Sequence, residues 1–305
     1  LAIPSRLSAR SPVLPAKRVS ARAWGKIGRN AIALLLVIAL LASCSSSFVY
    51  NRLDWLIPWW VDGYVDLTRE QKESLRDQLM PLLQWHRQEE LARYREILDQ
   101  VEAEMENPVT ADQVQAWGEE LFEASQRVEK TMLKLALEFG ATISDQQMSE
   151  FIASMEEQQL EFEHEFLSRS DKEYSKENAK DLERLLDRLL GRLTRNQKHR
   201  LLQAAQAMQR FDAVWLEDRS LWLAQLEPLL SRQAGWQDKV MQAYEWRESN
   251  RPPQFARIIE YNTRVISQAI ADILNSRSTK QDEHARQEIR QLRETLEKLM
   301  RDSTA

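Results

Sequence analysis

Cysteine is nearly missing from this chain: Cys44 is the only one. An intrachain disulfide is therefore excluded, and the folded part must hold together through its core. Glycine is scarce as well, and after Cys44 it occurs only at Gly63, Gly118, Gly140, Gly191 and Gly235. No glycine-rich phosphate loop and no G-x-S-x-G nucleophile elbow can be drawn from so few. Alternating Val/Ile/Thr runs, the signature of half-buried strands, are absent too. Acidic residues do not occur before Asp54. What remains is rich in Leu, Glu, Gln, Arg and Ala, all strong helix formers. The class these absences leave is all-α, with an elongated antiparallel helical bundle as the expected architecture.

The acid-free stretch carries Arg6, Arg10, Lys17, Arg18, Arg22, Lys26 and Arg29. It runs into AIALLLVIALLASC, Ala31–Cys44. A transmembrane helix needs ~20 apolar residues, so Ala31–Ala42 is too short to span, and it fits the apolar region of a secretory signal. No polar face breaks this run, as one would in a globular surface helix. Residues 1–43 are read as a lipoprotein-type signal peptide, with its natural start placed downstream of Leu1. Without those residues the chain has 262 residues, with 35 Lys and Arg against 47 Asp and Glu, a net charge of −12. Such an acidic chain disfavours nucleic acid, whose phosphates select clustered Lys and Arg.

After the polar spacer Ser45–Ser47 comes the most aromatic stretch, FVYNRLDWLIPWWVDGYVDLT, residues 48–68. Aromatic rings dominate core burial in soluble domains, so it is read as the first core helix. The competing reading is an interfacial belt, because Trp and Tyr favour headgroup depth beside a membrane anchor.

A local pattern then recurs: Leu67-Thr68-Arg69-Glu70-Gln71, Val109-Thr110-Ala111-Asp112-Gln113, Ile143-Ser144-Asp145-Gln146-Gln147 and Leu193-Thr194-Arg195-Asn196-Gln197. A hydroxyl followed three residues later by Gln is a capping box, in which hydroxyl and amide satisfy free backbone N–H groups of the first turn. Helix starts are predicted near residues 69, 111, 145 and 195. The first and fourth boxes lie 126 residues apart, a spacing that a duplication would leave, with little matching sequence beyond the cap.

The helices opened this way show apolar seams. Leu91, Tyr94, Leu98, Val101 and Met105 form one. Leu182, Leu185, Leu186, Leu189, Leu190 and Leu193 form a second, and Ile289, Leu292, Leu296 and Leu299 a third. Pro81 predicts a kink or break in the first long helix. The strongest polar gap, Ser168–Asn178, divides the chain into an anchored aromatic segment (44–66), a first helical half (67–168) and a second (179–305).

Candidate chemistry is thin. Glu161 and His164 have the E-x-x-H spacing of di-iron bundles, but a second such motif is missing. A solvated face is the expected reading, and no metal and no cofactor are implied. His86 and Glu90, one turn apart, read as an exposed pair. The tryptophans read as core, with Trp215, Trp222 and Trp246 as alternative groove-lining residues. No catalytic residue is assigned.

Two stretches of the chain carry resemblances to known families. Leu41-Ala42-Ser43-Cys44 resembles the bacterial lipobox, which implies cleavage between Ser43 and Cys44 and lipidation of Cys44. Ser45 after the cysteine then implies the outer membrane. Together with YNRLDWLIPWWVDGYVDLTREQ, residues 50–71, it is similar to a family of uncharacterised Gram-negative lipoproteins with no activity to carry over. The segments LTREQ and LTRNQ also resemble the L-T-x-x-Q motif of small periplasmic stress chaperones of the Spy/CpxP type. The matching positions are Leu67, Thr68 and Gln71, and Leu193, Thr194 and Gln197. Those chaperones are all-α dimers that hold unfolded clients on a concave surface. They are about half as long, lack a lipid anchor and carry a more basic client surface.

The expectation from sequence is an outer-membrane lipoprotein, tethered to the membrane through its N-terminal lipid. Its periplasmic helical domain binds envelope proteins and has no catalytic activity, and chaperone-like holding is one form of this. The alternatives are a structural or regulatory envelope protein with one specific partner, or an envelope enzyme.

Overall fold

A computed structural model describes residues 49–301. Cys44, the Ser43/Cys44 junction and the basic lead-in lie outside the described residues.

The fold is an all-α bundle, and the described residues contain no strand. In chain order the helices are α1 Leu53–Val61, α2 Arg69–Trp85, a π-helical turn His86–Glu90, α3 Leu91–Glu104, α4 Ala111–Gly140 and α5 Asp145–Leu167. They continue with α6 Asp171–Leu190, α7 Arg195–Ala207, α8 Asp212–Leu229, α9 Trp236–Ser249, α10 Pro253–Asn275 and α11 Thr279–Arg301. Helices α2, α4, α5 and α7 begin where the four hydroxyl-x-x-Gln boxes stand. Each box is closed in both directions, hydroxyl to N3 amide and Gln side chain to N-cap amide. Two more hydroxyl caps lie outside the four boxes read from the sequence, although they follow the same spacing. Ser170 with Glu173 opens α6. Ser278 with Gln281 opens α11.

Four of the six boxes also meet in pairs. Gln71 and Gln147 exchange amide hydrogen bonds of 2.9 and 2.8 Å, joining the starts of α2 and α5. Gln197 and Gln281 do the same at 3.2 and 3.0 Å, joining the starts of α7 and α11. A carboxamide carries one donor and one acceptor end, so two of them can satisfy each other reciprocally. Around each clasp the surroundings repeat. Asp62 accepts from the Leu67 amide and pairs with Lys72. Asp187 accepts from the Leu193 amide, and Lys198 pairs with Glu183. Leu75 and Leu201, at matching positions, are buried.

The gap Ser168–Asn178 is not a boundary. From Asp171 onward it is helix, with Tyr174 and Asn178 buried. Its polar residues belong to a cap, and serine is a good N-cap because its hydroxyl accepts from the first turn. The halves also share a core: Met105, Val109, Val114 and Trp117 pack with Leu182, Leu186, Ile270 and Ile289 in one cluster. Pro81 does not end its helix. Helix α2 runs through it, and the departure from α-helical geometry comes at the π-turn.

Candidate functional site

Apart from Asp54, which pairs with Arg76 at 2.6 Å, helix α1 is apolar on every side, LDWLIPWWV. Leu53, Ile57 and Val61 turn inward onto the cluster containing Leu79, Leu83 and Phe139, with Leu53 also packed against the cluster that contains Leu91 and Leu296. The opposite face carries Trp55 and Trp59, which are 58% and 50% exposed, while Trp60, 50% exposed, lies on the flank seven residues after Leu53 with its ring edge-on to Tyr64 at 4.8 Å. Trp55 and Trp59 stack one turn apart, with planes 8° from parallel and centroids 6.4 Å apart. The expectation that this stretch is core therefore holds for one face only. Trp55 and Trp59 are paired with each other, and Trp60 with Tyr64, rather than buried.

Behind α1 lies a polar network that fixes it to the body. The chain winds through His86–Glu90 as a π-turn, with the Leu91 amide donating to the His86 carbonyl. The extra residue in that turn swings Glu90 into the core, where it is fully buried. There it takes a two-pronged ion pair from Arg127 of α4, at 2.8 and 3.0 Å. This geometry is the one in which a buried carboxylate is best compensated. The hydrogen bonds to Glu90 hold Arg127 above its usual pKa. The expected exposed His86/Glu90 pair is thus overturned by the π-turn.

His86 sits within 2.7 Å of the Tyr50 hydroxyl, and its ring packs edge-on against Tyr94. Burial pushes the imidazole down to about 4, against an opposing pull from Glu90. Burial likewise raises Tyr50 well above the ordinary phenol range. Tyr94 is pushed up to about 12 by burial, reinforced by Glu90. Arg87 completes the mount, donating to Asn51 at 2.8 Å and lying over the Tyr50 ring. Neutral His86 and two neutral phenols around a compensated ion pair give a packed structural joint. π-Turns recur at functional positions, and this one secures the segment that leads toward Cys44.

The remaining predicted residues are spread out. Leu67 and Leu193 are buried, while Thr68, Gln71, Thr194 and Gln197 are occupied in caps and clasps. Glu161 and His164 both lie on an exposed face of α5. No group of three or more His, Cys, Asp or Glu side chains among the described residues is placed to hold a metal. Trp117 and Trp236 are core, Trp215 and Trp222 are half-buried against Phe166 and Tyr244, and Trp246 is exposed. Sequence reading missed the Glu90–Arg127 pair. Its only signal was an acidic residue on the Leu91–Met105 seam side, which periodicity alone does not mark. Among the described residues no helix is long and apolar enough to cross a membrane.

Residues 63–255 match the model of a family described as a family of unknown function, DUF6279. No curated protein and no solved structure matches the chain.

Proposed function

The chain belongs to the DUF6279 family of unknown function, and from that premise we propose that it is a lipid-anchored, non-enzymatic binding protein of the bacterial envelope. Cys44 carries the lipid, and the acyl chains hold the protein on the periplasmic face of the outer membrane. More than one inserted chain is needed for stable anchoring, which is what lipobox processing supplies. The tryptophan face of α1 rests on the headgroups, and the helical body beyond it receives an envelope protein.

One observation carries this reading. Three tryptophans stand exposed, Trp55 and Trp59 stacked one turn apart and Trp60 on the flank beside Tyr64, on a helix that begins nine residues after Cys44. Exposed indoles in a contiguous patch mark a contact surface, and amphipathic rings beside an anchor favour the interface. Several features support a binding role over catalysis. The buried titratable groups are fastened to one another, and the Thr68–Gln71 and Thr194–Gln197 motifs are spent inside the fold.

The test is photocrosslinking in intact cells from a reactive residue at Trp59, and from one at the exposed Trp246 of α9. The reading predicts phospholipid adducts from the first and protein adducts from the second. Protein adducts alone at position 59 would make α1 a partner-binding helix. Cys44→Ser should release the protein from membranes. If that variant still sediments with the outer membrane in high salt, the lipid anchor is wrong. Chaperone-like holding is separated from a single partner by asking whether the full chain suppresses aggregation of an unfolded model protein.

A further inference from the structure

Acid and base are divided between two neighbouring helices. Helix α5 carries seven Asp and Glu and no Lys or Arg. Glu156, Glu157 and Glu161 stand exposed along one side of it, around Leu160. Leu160 is 66% exposed, the most open large apolar side chain among the described residues, and Leu167, two turns on, is 51% exposed. From Glu150 to Glu161 the acids span about 17 Å, at ~1.5 Å per residue.

Helix α6, reached through residues 168–170, is its opposite. Lys172, Lys176, Lys180 and Arg184 recur every fourth residue, and all four are exposed. Residues four apart share a helix face, so these form a ridge about 18 Å long. None of the six acids of α6 pairs with its three lysines. Asp171 takes Arg210, Glu177 takes Arg169, Glu183 takes Lys198 and Asp181 takes Arg184. Glu173 closes the Ser170 cap, and Asp187 accepts from the Leu193 amide. Lys172, Lys176 and Lys180 pair with no described carboxylate. Like charges one turn apart oppose helix formation, so the lysine ridge carries a cost that negative charge from outside relieves. Helix α5 packs on α8, and α6 on α7 and α11, so the fold leaves the acidic and the basic side chains on its surface.

We propose that a second copy of this chain covers these faces, with α5 of each molecule lying on α6 of the other across a two-fold axis near the α5–α6 turn. The chain itself displays the acidic surface that its lysine ridge lacks, and the two are matched in length. A one-sided contact would leave one face of each kind open and build a filament, whereas the two-fold uses both and closes. Leu160 and Leu167 supply the apolar centre, and the opposed charges fix partner and register. This contact is separate from the tryptophan face of α1 and stands whether or not that face meets lipid.

The test is sedimentation velocity of the full chain in mild detergent, with micelles in excess so that a shared micelle does not hold two copies together. Physiological ionic strength screens charges beyond about 8 Å, so the net negative charge of each copy counts less than the opposed faces. The native chain should form dimers. One variant reverses the acidic face, Glu156→Lys with Glu157→Lys and Glu161→Lys. A second reverses the ridge, Lys172→Glu with Lys176→Glu and Lys180→Glu. Each alone should weaken the dimer about a hundredfold, because like charges then meet in both halves of the contact. An equimolar mixture of the two should dimerise again, since each reversed face then meets its opposite. Circular dichroism identifies a variant that loses its fold, and the single change Leu160→Arg, at an open position facing the lysines, then takes its place and should also weaken the dimer. A monomeric native chain overturns the proposal. If that monomer sediments with phosphatidylglycerol vesicles and the ridge variant does not, the ridge faces lipid instead. A dimer that the reversals leave intact overturns it too, as do folded reversed copies that stay apart when mixed.

Discussion

Glu90 and Arg127 are the pair on which the region behind α1 depends. Breaking a buried ion pair from one side strands a charge and costs about 3–5 kcal/mol. Glu90→Gln should therefore lower stability by an amount in this range, visible as a large drop in the urea midpoint. Replacing both partners by apolar residues, Glu90→Met with Arg127→Leu, should cost less than either single change. A double variant as unstable as the sum of the singles would contradict this picture. His86 supplies a pH signature. The unfolded imidazole binds its proton near 6.5 and the folded one only near 4. Between those values the unfolded state holds more protons, so stability falls as pH drops through that window and levels off below it. The full effect is about 3 kcal/mol by linkage. His86→Gln should flatten the profile between pH 6.5 and 4, and an unchanged slope would show that another group is responsible. None of this was legible in the sequence. His86 and Glu90 four apart look like neighbours on an α-helical face, and nothing in the residue types announces one extra residue in the turn. That residue rotates the start of α3 by about 100° relative to the expected face.

Among the elements, the starts were the most legible part. A hydroxyl three residues before Gln has a local physical meaning, independent of tertiary contacts, and α2, α4, α5 and α7 begin at those boxes. Ser170 escapes notice because it sits in SRSDKEYSKEN, where charge density resembles a linker. Its Glu173 nevertheless plays the role that Gln plays elsewhere. The meeting of the boxes in pairs could not be read, since partners 76 and 84 residues apart are joined by packing alone. The clasp makes a prediction at this scale. Thr194→Ala should cost about 1 kcal/mol, the ordinary value of a cap. Gln197→Ala should cost more, because it opens the box and also removes both clasp bonds to the buried Gln281. A double-mutant cycle between Gln197 and Gln281 should show a coupling of roughly 0.5–1.5 kcal/mol, as contacting residues do. A coupling near zero would reduce the clasp to two independent caps. Helix α1 shows the limit of pattern reading. A helix apolar but for one paired carboxylate, Asp54, is compatible with burial or with lipid, and only the packing of Leu53, Ile57 and Val61 reveals which face is left over.

For the whole molecule, a helical body carries three exposed indoles in the helix nearest Cys44 in sequence and a fourth, Trp246, in α9. Its LTxxQ positions hold helices together. The fold class was legible because helix formers fill the chain and breakers are few. The shared core was not, because the polar stretch before Tyr174 hid a helix that packs on both sides. The central claim is that the tryptophan face of α1 touches lipid. The most direct measurement is quenching of tryptophan fluorescence in the lipidated full chain, reconstituted into vesicles whose phospholipids are brominated near the headgroup. The account predicts strong quenching in the native chain. It predicts the loss of most of that quenching, with unchanged helicity, when Trp55, Trp59 and Trp60 are all replaced by Phe. Equal quenching in both proteins, or none in the native chain, would contradict it.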